Sequence, residues 1–572
     1  MAVVRSLIKT VAIFLFLVVL LSIFKFAGLV TDFWWFDTLG FSQIFLVSLQ
    51  TKVLLFFFGA LVFFAFAALN LYVGSRFHQS LVSFKFKALI VLVLSFIFGL
   101  SSASAWLVLL RYLNQVSFNL VDPIFQKNVA FYVFSLPFYL AVWKFAMACV
   151  VITIILVSLD YLQNFLANLF RQPRYEPGNV RKVFDYKSEL MKIRRKALVH
   201  LALLGSLVFV LFSVKHYLGR FAVMYSEKGI VVGAGYTDVF VFLPIIKLMM
   251  VLALVVALFF YFWIFYVSKQ LVLKKRHLLL YAITLYFLFV FFVPTAIPGL
   301  VQSFRVTPNE INLEKPYIEN NIRFTKIAYG LSDVEEKDFP VEMALSSEVL
   351  EGERETIDNV RLLDWRPLTQ TYKQTQEIRL YYDLSGIDID RYMIDGKYTE
   401  IMIAPRELDQ RQITENAKTW VNLHMVYTHG YGMVMSPVNS VTEEGLPDLF
   451  IKDIPPIYTV DDGLKISKPQ LYYGQLANDF VLVNTNTAEF DYPKGNTNEY
   501  IHYDGSGGVL LDSFFKKLLM AVRFRDVKIL LSSDISADSR IMFARSIQQR
   551  ILKITPFLTL DYDPYVVIDN GR

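Results

Sequence analysis

Seven long apolar stretches fill the first 301 residues of this chain: Leu7–Val30, Val53–Val73, Ala88–Leu110, Pro137–Leu159, Ala197–Val214, Leu243–Tyr266 and Leu278–Val301. A helix of roughly 20 apolar residues crosses the hydrocarbon core of a bilayer. In lipid its backbone polar groups must be satisfied internally, which a helix does. Residues 1–301 are therefore expected to form a membrane α-helical bundle of about seven transmembrane helices. The first stretch follows Arg5 and Lys9, as a signal peptide would, but no small-residue cleavage site closes it, so it reads as a retained anchor.

Charge separates the two halves. Residues 1–301 hold 27 Lys and Arg against 9 Asp and Glu, while residues 302–572 hold 29 against 41. The loops sort the basic residues further. The N-terminus and loops 74–87, 160–196 and 267–277 carry 18, and loops 31–52, 111–136 and 215–242 carry 6. Basic loops stay in the cytoplasm, so the N-terminus is expected inside and residues 302–572 outside. The lone cysteine, Cys149, lies in the fourth stretch, so the outer domain has no disulfide. That suits a bacterial envelope better than an animal cell surface.

Residues 302–572 mix strand and helix periods and are expected to form an extracytoplasmic α+β domain. Residues 398–404 and 480–484 alternate as strands. Residues 409–423, 511–523 and 536–554 have helical spacing. Pro294 and Pro298 predict a kink in the seventh span. Thr307-Pro308-Asn309-Glu310 predicts the start of a further helix running toward Gly330. Residues 332–358 are acidic and read as a loop, and Val566-Val567-Ile568 reads as a strand before an Asp569-Asn570-Gly571 turn.

Chemistry-bearing motifs are few. No HExxH, GxSxG or phosphate-loop pattern occurs. Asp383, Asp388, Asp390 and Asp395 are the densest carboxylate set and the one candidate for a cation site, although their spacing is not that of an EF-hand. Arg379, Arg391 and Lys397 stand near enough to neutralise them instead. The Gly-rich stretch Asp504–Gly508 precedes an expected helix, where backbone amides hold anions or make a turn. His424, His429 and His502 lack zinc-site spacing. Catalytic and cofactor-binding residues stay unassigned. The expected membrane-interface residues are Trp34 and Trp35, the outer-end lysines Lys25, Lys144 and Lys247, and Arg194, Arg195 and Lys196 before the fifth span. No Asp or Glu lies within the seven stretches, which disfavours an ion-coupled carrier.

Several segments resemble a known family: DFWWFDTLGF (32–41), VAFYVFSLPFY (129–139), GYTDVFVFLP (235–244), VTPNEINLEKPYIENNI (306–322), EIRLYYD (377–383), DIDRYMIDGKY (388–398), YTHGYGMVMSPVN (427–439), LFIKDIPP (449–456), EFDYPKG (489–495), YDGSGGV (503–509) and LLSSDISADSRI (530–541). From about residue 32 onward the chain is similar to uncharacterised protein family 0182, a group of bacterial integral membrane proteins. The resemblance implies a plasma-membrane protein with about seven spans and a large outer domain, and it implies no established activity. Family members continue past the point matching Asp563-Pro564-Tyr565, so the resemblance predicts an outer domain truncated at its C-terminus.

The expectation is a multi-pass protein of the bacterial plasma membrane. Its two domains are residues 1–301, seven spans, and residues 302–572, outside. As an envelope scaffold or binding module it would meet the lipid bilayer, envelope polymer or other envelope proteins, and no nucleic acid. The alternatives are an outer-leaflet glycan or lipid enzyme and a transporter or lipid-handling protein. Sidedness is directly testable. Alkaline phosphatase fused after Arg572 should be active and a green fluorescent protein dark. The reverse pattern would invert the topology.

Overall fold

A computed structural model describes residues 22–77, 83–170, 180–268, 272–338, 345–460, 463–495, 497–561 and 563–569; within its helices, the side chains of 84, 164–165, 167–170, 180–194, 265–268 and 272–277 are not described. Six described helices are long and apolar enough to cross a membrane: Ser42–Ser75, Lys85–Ser104, Phe131–Gln163, Arg195–Tyr225, Asp238–Ile264 and Leu278–Ala328. They coincide with the second to seventh expected spans. Most of the first, Leu7–Val30, lies outside the described residues, so a count of seven is not confirmed.

The chain divides into two compact units, Ser48–Asp338 on one side and Met1–Val47 with Phe339–Arg572 on the other. The division differs from the expected one at residue 301. Residues 302–328 continue the last apolar helix, and the segment around Trp35 belongs with the C-terminal region.

In the unit 48–338, helices pack through small residues and aromatic clusters. Ser42–Ser75 and Phe84–Ser104 cross where a Cβ on Gly59 would lie 2.0 Å from the Ser102 hydroxyl and one on Gly99 would lie 2.8 Å from the Phe56 carbonyl. Such close backbone approach is typical of helices packed in lipid. Phe63, Ala67, Val91, Cys149 and Val157 form one core. Phe209, Ala253, Ala257, Phe260 and Tyr286 form another. Outward-facing Leu54, Phe57, Leu61, Leu285 and Phe291 are exposed. An apolar exterior of this extent marks a surface meant for lipid.

Carboxylates do occur in these helices. Asp160 stands one residue beyond the expected fourth span, buried inside the helical run Phe131–Gln163, and pairs with Lys87 at 2.6 Å. Beside it His200 bonds Asn70 and Tyr161, both at 3.0 Å. The helix Val272–Val301 continues through Pro294 and Pro298. It then changes to a π-turn at Gln302–Val306, a short 3-10 turn at Thr307–Asn309 and the helix Glu310–Ala328. The Thr307 hydroxyl donates to the Gln302 carbonyl rather than capping the new helix. Gly330, at φ +67°, closes it, as expected of a C-terminal glycine. Glu314, buried, accepts the Tyr236 amide with both oxygens at 3.1 and 3.2 Å, tying that helix to the segment Gly235–Leu243.

The C-terminal region is β-rich with open antiparallel sheets and helices laid on them. Its largest sheet centres on the strand Lys397–Leu408. This strand pairs with Asp388–Ile394 and Tyr382–Leu384 along its length, and with Met433–Pro437. Asp395 and Gly396, at φ +51° and +73°, make the tight turn of the hairpin. Alternate residues face opposite sides. Met402 and Ala404 pack with Val434, Leu368 and Tyr372, the last two from the helix Trp365–Gln376. Ile401 and Ile403 pack with Met433, Met435, Ile451 and Ile568. Both faces are therefore covered. A three-stranded sheet places Arg540–Met542 between Val509–Leu510 and Val481–Val483.

Several local expectations change. Residues 409–423 are two 3-10 turns, Gln410–Gln412 and Glu415–Ala417, followed by a π-turn at Asn422–Val426. The Gln410 amide fixes this path by donating to the Leu423 and Tyr427 carbonyls. Residues 536–554 split into the strand Arg540–Met542 and the helix Ile547–Ile554, because pairing on both edges outweighs helical spacing. Val566–Ile568 is not a strand. Ile568 is instead buried and its amide donates to the Tyr392 hydroxyl at 2.8 Å. Residues 570–572 lie outside the described residues.

The helix spanning residues 22–38 completes the core beneath the three-stranded sheet. Trp35, only 2 % exposed, and Phe36 pack with Met425, Leu482, Leu511, Met520, Ile541 and Phe543. The Trp35 indole donates to the Phe543 carbonyl at 3.1 Å. Asp32 pairs with Arg523 at 2.7 Å and Lys553 at 2.6 Å. Deleting a buried aromatic ring from a core costs about 3–5 kcal/mol. Trp35→Ala should therefore lower the melting temperature of the C-terminal region and open it to proteolysis, and an unchanged melt would contradict this packing.

Candidate functional site

The expected acidic set does not converge. Asp383 pairs with Lys373 at 2.5 Å, not with Arg379, Arg391 or Lys397. Asp388 and Asp390 lie along one strand, and Asp395 is in the hairpin turn. Among the described residues no group of three or more His, Cys, Asp or Glu has metal-holding geometry. The Gly-rich stretch runs into the strand Val509–Leu510, not a helix. Its Gly507 amide donates to the Tyr503 hydroxyl at 2.9 Å, and Arg540 donates to the Ser506 and Gly508 carbonyls.

Of the expected interface residues, Trp35 is an internal anchor with no surface left for a headgroup. Trp34 is half-buried, edge-on to Phe515. Lys25, Lys144 and Lys247 are exposed. Lys196 lies over the Phe77 ring at 5.4 Å, and Arg195 is half-buried. The side chain of Arg194 is outside the described residues.

The chemistry-bearing cluster that does form centres on Glu489. This residue opens the strand Glu489–Lys494, and its side chain is fully buried. Its Oε2 accepts the Thr428 hydroxyl at 2.7 Å and the Tyr472 hydroxyl at 2.8 Å. Its Oε1 accepts the Tyr503 amide at 3.0 Å and the Asn484 amide at 3.1 Å. His429 lies alongside, with Nδ1 3.8 Å from Glu489 and Nε2 3.3 Å from Asp491. The pairing register shifts between Phe490 and Tyr492, so Asp491 occupies a bulge. A bulge re-aims a side chain; here Asp491 accepts from His429 and from Gln470 at 2.9 Å.

Two buried cations brace the surrounding loops. Arg545 donates to the carbonyls of Thr428, Tyr472 and Asp479. Arg406 donates to those of Gln376 and Tyr431. Burial pushes both guanidinium groups down to about 10, so they stay charged at neutral pH. Glu407, also buried, accepts the amides of Gln475 and Leu476 at 2.8 and 2.7 Å. Two glycines make room. A Cβ on Gly430 would lie 2.3 Å from the Arg406 carbonyl, and one on Gly474 would lie 2.4 Å from the Glu407 carboxylate.

Burial alone would raise the Glu489 carboxyl, but His429, Thr428 and the Asn484 amide hold it below its ordinary range. A carboxylate offers about four lone-pair positions, and all are filled. Both His429 nitrogens are engaged too, the Nδ1 with the Thr428 hydroxyl at 2.8 Å. Glu489 and His429 thus spend their polar positions on groups of the chain itself. The sequence drew attention to His429 only as one of three histidines without zinc-site spacing, and Glu489, Asp491, Tyr472 and Arg545 were missed. Their one signal was the pair of acids two apart in EFDYPKG, which gives no hint of burial.

Two titrations follow. A carboxyl depressed in the fold contributes stability above its unfolded value, and that contribution is lost as pH falls through the folded one. Glu489→Gln should therefore cost about 3 kcal/mol at pH 7, as breaking a buried charged pair does, with the penalty shrinking below about pH 4. Asp388 shows the opposite case. Burial first, then the Asp563 carboxylate, pushes it up to about 6. Its favourable contribution exists below the unfolded value and is lost as pH rises through about 6. Asp388→Asn should raise the melting temperature at pH 7.5 and leave it unchanged at pH 4, and equal melts at pH 7.5 would refute the shift.

The model of the uncharacterised protein family UPF0182 matches residues 8–572. A UPF0182 protein of Desulforamulus reducens is 40 % identical over 95 % of this chain and 59 % of its own length. One from Pelotomaculum thermopropionicum is 36 % identical over 96 % and 60 %. One from Trichodesmium erythraeum is 36 % identical over 97 % and 60 %. The matches run through almost all of this chain, and the chain spans about 60 % of the length of these relatives. No solved structure matches.

Proposed function

Because this chain belongs to the uncharacterised family UPF0182, a family that supplies no activity to carry over, we propose from the residues themselves that it is a multi-pass protein of the plasma membrane whose C-terminal region serves outside the cell as a scaffold or binding module. The observation that supports this reading is the saturation of the Glu489 carboxylate. Its four acceptor positions are taken by groups of the chain, and both His429 nitrogens are engaged. A catalytic acid or base needs a position open to the reacting atom. A carboxylate closed on every side is a brace, and it joins the segments around residues 428, 472, 484, 489 and 503.

A braced module works in proportion to how much of it is folded. His429→Gln, Glu489→Gln and Asp491→Asn should restore the phenotype of a deletion strain in the same order as their folded, protease-resistant protein level. A variant folded at the wild-type level yet unable to complement would overturn the scaffold reading and favour an enzyme.

A further inference from the structure

The strand Glu489–Lys494, which carries the brace, also carries an aromatic cluster. Phe490, buried, stands at its centre. Three tyrosine rings surround it, their centroids 5.7 Å away for Tyr381, 5.4 Å for Tyr427 and 6.3 Å for Tyr500, its cross-strand partner. Tyr381 and Tyr427 also pack against each other, at 5.2 Å. Three of the segments that carry the family resemblance, 377–383, 427–439 and 489–495, thus meet here, and the brace uses none of these rings.

The polar tips of these tyrosines are unused. The hydroxyls of Tyr372, Tyr382 and Tyr472 donate to the Ser436 hydroxyl, the Asp491 carbonyl and the Glu489 carboxylate. Those of Tyr381, Tyr427 and Tyr500 have no hydrogen-bond partner among the described residues. They stand close together. Burial first, then Tyr427, raises the Tyr381 hydroxyl above its ordinary range, Arg379 pulls it down and Tyr500 raises it again, so all three lie within its electrostatic reach.

Arg379 comes to the cluster from a strained turn. Its amide donates to the Glu377 carbonyl at 2.7 Å, two residues back, with Ile378 between them at φ +63°. A three-residue turn of this hand is rare, and a β-branched residue there is an outlier. Such strain gathers at ligand sites. Leu380, next along, is 72 % exposed. Among the described residues no carboxylate pairs with Arg379. The acids around it are taken by other cations. Asp383 pairs with Lys373, Asp409 with Arg411, and Glu499, beside Tyr500, with Lys494.

A tyrosine offers an apolar ring and a polar tip at small entropic cost. A sugar has the matching pattern, C–H groups on its faces and hydroxyls around its rim. An acyl chain would leave the three phenol hydroxyls unpaired on binding, which is unfavourable. A guanidinium without a partner suits a carboxylate, which it grips with two parallel hydrogen bonds. We propose that Tyr381, Tyr427, Tyr500 and Arg379 form a binding site for a carboxylate-bearing glycan, with the phenol hydroxyls on sugar hydroxyls and Arg379 on the carboxylate. The proposal deepens the binding-module reading and rests on its placing this region outside the cell, where such a polymer is met.

The test titrates the full chain in nanodiscs, by calorimetry, with two tetrasaccharides that differ in their carboxylates. One is N-acetylglucosamine alone; the other alternates N-acetylglucosamine with N-acetylmuramic acid. The second should bind, and the first about tenfold more weakly, the worth of a hydrogen bond to a charged group. Tyr381→Phe, Tyr427→Phe and Tyr500→Phe keep the rings and should each weaken the second about fivefold, as loss of a neutral hydrogen bond does. Arg379→Gln should make the two sugars bind alike. No binding of either sugar overturns the proposal. Equal binding of both by the wild type overturns the role of Arg379, and Phe variants that bind like the wild type overturn that of the hydroxyls. Sidedness is read separately. Tyr500→Cys, with the free Cys149 replaced by Ala, should react with an impermeant maleimide on intact cells. Reaction only after lysis overturns the outer placement, whereas reaction on intact cells with no sugar bound overturns the glycan site and spares that placement.

Discussion

An ionised carboxylate inside a protein persists only if donors replace the water it gave up. Glu489 meets that requirement with hydroxyls from Thr428 and Tyr472 and amides from Asn484 and Tyr503. These donors come from four separate segments, so the charge stays buried only while all four are in place. Arg545 applies the converse constraint, a buried cation satisfied by carbonyls of three loops. Much of the irregular backbone between residues 422 and 546 is specified in this way, by charges that the loops enclose rather than by long strands.

A second constraint ties the N-terminal helix to the same region. Trp35 supplies part of the core beneath the three-stranded sheet, and Asp32 sits between Arg523 and Lys553. Burial lowers the Lys553 ammonium against the pull of Asp32, so that ion pair is only partly screened by solvent. A helix expected to leave the bilayer thus ends inside the fold that the rest of the C-terminal region builds. On the proposed reading, such an arrangement would hold that region at the membrane without a linker, as a scaffold requires.

The sequence revealed the membrane helices well because hydropathy is additive along a segment and needs no knowledge of neighbours. The same locality made the strand Lys397–Leu408 readable from YTEIMIA. It failed where partners are distant. Residues 536–546 have helical spacing, but Arg540–Met542 is claimed by strands on both sides. Trp34 and Trp35 looked like an interfacial pair, since nothing nearby in sequence shows that Phe543 waits for the indole. Asp383, Asp388, Asp390 and Asp395 drew attention through density alone, whereas Glu489 and Asp491 matter through burial, and density carries no information about burial. His429 was noted among the histidines, but the carboxylates beside it, Glu489 and Asp491, stand far along the chain.

Native-state hydrogen exchange of the full-length protein in lipid tests the closed, ionised state of Glu489 most directly. The amides of Asn484 and Tyr503 should be among the slowest to exchange at neutral pH, opening only when the whole region unfolds. Rapid exchange at both positions in otherwise folded protein would mean that water reaches the carboxylate, and the brace would have to be reconsidered as an open site.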